Sequence, residues 1–347
     1  MSRSLKVKKH LSFPALCHSL SEHFNSIVDS RLSARCVHSI HDAFMSAFAC
    51  MYFQDPSLSE FQRNMEISKN NNNLRTLFDV ETIPKDTQLR SILDSVDSEV
   101  LRPIFKDYFE RLRRAKQLEP FQILPNHYLC AIDGVYHHSS NHVHCEACLT
   151  KNHKNGSVSH QHGVLQGVIT HPDKKQIIPI MPEPISNLNN SYHKQDCEIN
   201  ASKRFLQRLR EDHPRLNLII VGDGLFSKGP MIQEVLANQF HFLFVAKPAD
   251  HTYMMEWLEA FEELPTIEYT DLKGRNHQYT YKNHIPLNDQ PDAPWVNYVG
   301  YVMTDKDGKV IYRNSWVTDI LIDNNNVKTL VRGGDVVGKL KMNALIP

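Results

Sequence analysis

The chain has 347 residues, enough for two domains or for one large domain carrying an insertion, and its composition is that of an ordinary soluble protein, 41% hydrophobic and 22% charged. Lys+Arg and Asp+Glu both number 39, so net charge gives no argument for nucleic acid or membrane, and any DNA contact must rest on local patches. No apolar run approaches the ~18–20 residues of a membrane span, and no signal-peptide core follows the basic "MSRSLKVKKHLSF".

Residues from about 30 to 118 read as helical. "SARCVHSIHDAFMSAFACMYF" repeats apolar residues every three or four positions without Gly or Pro. "SKNNNNLR" reads as a polar loop, and "PKDTQLRSILDSVDSEVLRPIFKDYFERLRRAKQLEPF" as two further helices, with Asp86 as N-cap of the first and Pro103 near the start of the second. The plain reading is a helical bundle, and the functional one a module for DNA ends. Arg111, Arg113, Arg114 and Lys116 are the cations that would meet phosphate, although a solvated helix face explains them equally well.

After Pro125 the pattern turns to strands. "HYLCAIDGVYHHSS", "HGVLQGVITHP" and "KQIIPIMPEPI" are followed by a helix in "QDCEINASKRFLQRLREDHP", a buried strand in "LNLIIVGDGLFSKGP", a helix from Pro230, the strand "FHFLFVAKP" and a helix around 254–261. Alternation returns from Ile267 to Ile322, with "DKDGK" as a hairpin turn, and "NNNVKTLVR" begins a last helix. Composition and order predict an α/β fold: a helical region over 1–118, a core over 125–265, a β-rich insertion over 266–322 and a final segment over 323–347.

Two constellations carry chemistry. Asp133-Gly134 and Asp223-Gly224 each end an apolar strand, and side chains at strand C-termini line the ligand crevice of an open α/β sheet. If the strands are neighbours, the two carboxylates repel unless one is protonated or a cation lies between them, and hard cations such as Mg²⁺ or Mn²⁺ are held by such pairs for phosphoryl transfer. The plainer alternative is that each Asp-Gly starts a turn. The second constellation is "HVHCEACLTKNHKNGSVSHQHG", within a stretch between His137 and His193 that is crowded with the chain's 20 histidines. Cys145 and Cys148 have zinc-knuckle spacing, and Cys145, Cys148, His153 and His162 form the expected structural Zn²⁺ set, with His142 and His144 as competitors. The alternative is a His-rich loop with two unpaired thiols. Seven cysteines spread through the chain suit the reducing cytoplasm better than a disulfide framework.

The segments "AIDGVYHHSS…CEACLTKNHKNGSVSHQHGVLQGVITHPDKKQIIPIMPEPI" and "DCEINASKRFLQRLREDHPRLNLIIVGDGLFSKGPMI", with "RCVHSIHDAFMSAFACMYFQDPSLSEFQR" and "IPKDTQLRSILD" upstream, resemble the DDE transposases of the insertion-sequence-4 superfamily. The resemblance runs from about residue 30 to 332. It implies an RNase H-like mixed sheet with a β-rich insertion, preceded by an all-α region. It also implies metal-dependent cleavage of double-stranded DNA at transposon ends and joining to target DNA, by paired protomers when active. By motif, Asp133 is the first carboxylate and Asp223 the second. The third should be a Glu in a helix reading approximately R-W-x-I-E after the insertion, yet no Glu follows Glu268.

Reverse translation of Asp335–Pro347, read one base earlier, can spell R-C-R-W-K-I-E-N-E-C-F-N-T, with the Glu codon straddling Leu340 and Lys341. This predicts a one-base deletion or two-base insertion near Arg332–Gly334, an out-of-frame tail and a catalytically defective chain; a natural divergent C-terminus is the alternative. The competing functional readings are a non-catalytic, zinc-stabilised DNA-binding protein and an RNase H-like nuclease acting on other nucleic acid.

Overall fold

The computed structural model describes residues 9–31, 36–187 and 194–337, and the chain divides into two units at Glu119/Pro120. The regular elements of the first unit are helices: α1 (Phe13–Asn25), α2 (Ile40–Phe53), α3 (Leu58–Glu66), α4 (Ser68–Phe78), α5 (Asp86–Asp94) and α6 (Arg102–Arg114). Ser39 and Ser57 cap α2 and α3 by accepting the Asp42 and Glu60 amides, which satisfies donors that a helix start otherwise leaves bare. The core joins Cys17, Leu20 and Phe24 of α1, Met45 and Ala49 of α2, Phe61 and Met65 of α3, and Leu74 and Phe78 of α4.

Two local expectations change here. The Asn run is the first part of α4 rather than a loop: Leu74 and Phe78, four residues apart and fully buried, anchor one helical face and override the weak propensity of Asn. Lys85, not Asp86, is the cap residue of α5, and the Asp86 carboxylate instead accepts from Ser59 and Thr87. Helix α1 sets Cys17, Leu20 and Phe24 at helical spacing on its buried side.

The second unit is built on one 12-stranded mixed sheet. Its strands are β1 (Gln122–Leu124), β2 (His127–Ser140), β3 (Leu149–Asn152), β4 (Val158–Thr170), β5 (Ile178–Pro179), β6 (Glu183–Ile185), β7 (Leu218–Gly222), β8 (His241–Val245), β9 (Thr266–Thr270), β10 (Asn276–Pro286), β11 (Trp295–Thr304) and β12 (Val310–Thr318). The order is β3-β4-β2-β7-β8-β12-β11-β10-β9, with β1 on β2 and β5 and β6 on β4. Only β2–β7 and β7–β8 are parallel. The fold is therefore mixed α/β, and the β-rich segment after residue 266 continues the central sheet by pairing β12 with β8.

Two helices identify the faces of the sheet. Helix α7 (Glu198–Asp212) sets Phe205 against Gly167, the cross-strand partner of Ile132. Helix α10 (Val327–Gly334) sets Gly333 against Leu129 and Leu243. Successive strand residues point to opposite faces, so Cys130, Ile132 and Gly134 lie on the α7 side while Leu129, Ala131 and Asp133 lie on the α10 side. There Val327, Leu330 and Val331 bury the β2–β7–β8 centre. Helices α8 (Gly229–Ala237) and α9 (Thr252–Glu259) follow β7 and β8. Of the out-of-frame tail expected over Asp335–Pro347, Asp335 is the C-cap residue of α10 and accepts from Tyr312 Oη, and Val336 is buried in the core, whereas residues 338–347, with the straddled Glu codon, lie outside the described residues, as does His193.

Candidate functional site

Strand β2 does not stop at Asp133-Gly134, as the motif alone suggests. It runs 14 residues, from His127 to Ser140. What ends near Asp133 is its parallel partnership: pairing with β7 runs from Tyr128↔Leu218 to Ala131↔Val221, whereas antiparallel pairing with β4 continues to Ser140↔His160. Asp133 thus sits at a fork, where β2 leaves β7 and stays with β4. Asp223 is the first residue after β7, whose five residues are all buried, and two further steps along the β2–β7 register set Asp223 level with Asp133. Neighbouring strands lie ~4.8 Å apart, so Asp133 and the Asp223 loop lie at the same end of the β2–β7 pair. Asp133 is only 7% exposed, and its Oδ1 accepts the Gly134 amide at 3.1 Å.

The Asp223 loop is held from below. Asp223 Oδ1 accepts the Leu225 amide at 2.9 Å, and the Phe226 amide donates to the Asp223 carbonyl. Buried Ser227 donates its hydroxyl hydrogen to the Gly224 carbonyl at 3.0 Å, which leaves the oxygen to accept from His251 Nε2 at 2.8 Å. Burial, with help from Lys228, pushes the His251 pKa below its ordinary value, so the imidazole is neutral and carries its proton on Nε2. This Ser–His pair is consequently a brace for the loop rather than a poised nucleophile. Beside the fork, on the other face, the Glu198 side chain lies on Gly134 where any Cβ would collide, and it accepts from Tyr136 Oη at 3.2 Å.

The Cys/His cluster lies farther along β2 and β4. Cys145 and Cys148, in the loop between β2 and β3, put their sulfurs 3.8 Å apart, and His162 Nε2 on β4 stands 3.3 and 3.2 Å from them. Metal–ligand bonds of ~2.3 Å to sulfur and ~2.0–2.1 Å to nitrogen in a tetrahedron require ~3.8 Å between sulfurs and ~3.6 Å between sulfur and nitrogen. The trio therefore has the spacing to hold a metal ion, and it is the one such group of three among the described residues. Burial, and then the Cys145 sulfur, raise the Cys148 thiol above its ordinary pKa; a bound cation reverses this by stabilising the thiolate.

His153 is not brought to this trio. It sits in the β3–β4 turn, where its amide donates to the Ser157 carbonyl and its Nε2 lies 2.8 Å from Ser159 Oγ. His144 stacks on His160 at 4.5 Å, and His142 is exposed. All seven cysteines are free thiols.

Three of the basic residues singled out on α6 and just beyond it are paired with acidic neighbours: Arg111 with Asp107, Arg113 with Glu110 and Lys116 with Glu119. Among the described residues no helix is long and apolar enough to cross a membrane. No family model matches the chain, and no curated protein matches it either.

Proposed function

We propose that the chain is a DNA-binding protein of the DDE transposase type, with an RNase H-like core in which Asp133 and Asp223 hold a Mg²⁺ or Mn²⁺ ion. The observation that supports it most is the register at the fork: one buried carboxylate on β2 and a second directly after the adjacent parallel strand β7, where the ladder between the two strands ends. Such a pair fits a hard cation, because oxygen donors of like charge need one to share the site. A cation there supplies Lewis-acid stabilisation of a phosphoryl oxygen. The protein's own contribution is to fix both carboxylates, Asp133 through β2 and Asp223 through the Ser227–His251 brace. The sequence has no Glu beyond Glu268, so the site is proposed with two carboxylates, and loss of one member of a group acting as a unit lowers rates by orders of magnitude. The expected behaviour is cation and double-stranded DNA binding with strand cleavage and transfer strongly depressed. The active form of this type is a homodimer, and seven free thiols suit the cytoplasm.

The trio of Cys145, Cys148 and His162 is read as a structural Zn²⁺ centre, since two soft thiolates and an imidazole favour that ion. It also favours the second reading, a zinc-stabilised DNA-binding protein without catalysis. Mn²⁺ binding measured by electron paramagnetic resonance on the zinc-loaded chain separates the two. The first reading expects one Mn²⁺ site that Asp133→Asn and Asp223→Asn each weaken. Absence of Mn²⁺ binding, or binding indifferent to both substitutions, leaves only the second.

A further inference from the structure

The Cys145–Cys148–His162 trio fills three corners of a tetrahedron, and the strands beneath it carry more imidazole than the trio uses. His138 of β2 is the cross-strand partner of His162. Partners in an antiparallel pair project from the same face with Cβ atoms ~4.5–5.5 Å apart. The β2–β4 register also slips by one residue between Tyr136 and His138, which makes His137 the extra residue of a bulge. Bulges bend a strand and re-aim its side chains. The result is a second and a third ring beside His162: His138 at 5.9 Å between centroids with planes tilted by 51°, and His137 at 6.2 Å with planes at 30°.

Bond lengths choose between them. Two imidazoles on one tetrahedral zinc, each bound at ~2.1 Å, have ring centroids ~5 Å apart; the His138 ring stands 5.9 Å from that of His162 with its nitrogens outside the 4.8 Å span of the trio, so it must turn inward to reach the ion. A ring ligates in its own plane, so two rings sharing an ion must have planes that meet at it. The 51° tilt of His138 suits that better than the nearly stacked arrangement of His137. His138 is also half-buried, whereas His137 is exposed. The remaining nearby histidines are engaged elsewhere: His144 with His160, and His153 with Ser159.

We propose that His138 is the fourth ligand, completing a Cys₂His₂ zinc centre with Cys145, Cys148 and His162. This rests on reading the trio as a zinc site. The centre then ties the 141–148 loop to both β2 and β4, about 17 Å along β2 from Asp133, five residues at ~3.4 Å each. That separation makes it a structural clamp rather than part of the carboxylate site.

The test is Co²⁺ substitution in the full-length chain, read by visible absorption and by competition with Zn²⁺. The wild-type protein is expected to show intense tetrahedral d–d bands and a thiolate-to-cobalt band. His138→Ala should weaken Zn²⁺ binding by about 10–100-fold or more and dim the d–d bands as water takes the open corner. His138→Cys restores a fourth donor and should recover affinity, with a stronger thiolate band, which keeps the test decisive if the alanine variant folds poorly. His137→Ala and His153→Ala should leave both readouts unchanged. The proposal is overturned if His138→Ala matches wild type while Cys148→Ser weakens the thiolate band, or if His137→Ala causes the loss instead; the zinc reading survives both results. A wild-type chain without a thiolate-to-cobalt band defeats the zinc reading, and the fourth ligand with it.

Discussion

Neutralising Asp223 should make the metal-free protein more stable, an unusual outcome for a change at a loop that is so well braced. The cause is the β2–β7 register, which pairs Ala131 with Val221 on strands ~4.8 Å apart and, carried two residues further, sets Asp133 level with Asp223 just beyond β7. Two unit charges about 5 Å apart repel by about 3 kcal/mol at an effective dielectric of 20 and by about 1 kcal/mol in water. Asp133 is buried and Asp223 partly exposed, so Asp223→Asn should gain about 1–3 kcal/mol in chelator-treated buffer. Asn keeps an oxygen that can accept the Leu225 amide, so the loop bond survives. Mg²⁺ should then reverse the order. A ligand that binds only the folded state stabilises it by RT ln(1 + [L]/Kd), and that increment should appear in wild type and vanish in the variant. Urea unfolding followed by tryptophan emission suits the measurement, because Trp257, Trp295 and Trp316, the only tryptophans, all lie in the second unit. A variant less stable than wild type without metal, or equal Mg²⁺ shifts in both proteins, would refute the paired-carboxylate argument.

Gly334→Ala should destabilise the second unit by about 1 kcal/mol even though Ala is the better helix former, because the added Cβ would stand 2.6 Å from Trp316 Cε2 and lift α10 off the sheet; the urea midpoint and the Trp316 emission maximum report it. Arg204→Met should cost about 3 kcal/mol in urea unfolding, since the guanidinium bridges Glu183 and Asp196, which are 4% and 5% exposed. The figure is at the low end because Arg208 still pairs with Glu183 and the Arg204 side chain is 41% exposed. The bond from His241 to Asp319 raises the folded-state pKa of His241 above its ordinary 6.5. Its stabilisation is therefore complete below the unfolded value and drains away as pH rises through the raised one. A stability–pH profile of His241→Gln should lose that decline above pH 6.5, and a profile parallel to wild type would contradict it.

Patterns local to one stretch of chain were the legible part of this molecule. The buried run of β7, the α7 amphipathic face and the hairpin turn at Gly308 are set by residues within a few positions of one another. The Cys-x-x-Cys pair was legible for the same reason, since a spacing of three brings two sulfurs together in any tight loop. Of its two expected histidine partners, only His162 is brought to the sulfurs. His153 lies close in sequence, but the β3–β4 turn uses it locally, whereas His162 arrives through cross-strand pairing. His138 depends on a register slip that no spacing reveals. The same limit applies to Asp133. An apolar run followed by Asp-Gly looks like a strand end, because sequence alternation does not say that β2 changes partners and continues. The Asn run was misread because propensity is a weak force beside the burial of Leu74 and Phe78.

The change of partners in β2 also has a dynamic meaning. Up to Ala131 the strand is flanked on both sides by β7 and β4; beyond Asp133 it pairs only with β4, which carries β6 and then β3 on its other side, so β2 becomes an edge of the sheet on the way to the two cysteines. An edge strand is held by one ladder of hydrogen bonds where a central strand has two, so a metal ion bound by Cys145, Cys148 and His162 would add a tie between β4 and the loop that follows β2. Amide hydrogens of residues 135–140 should therefore exchange much faster after chelation while those of 128–131 hardly change, with Asp133 standing at the boundary between the two regimes.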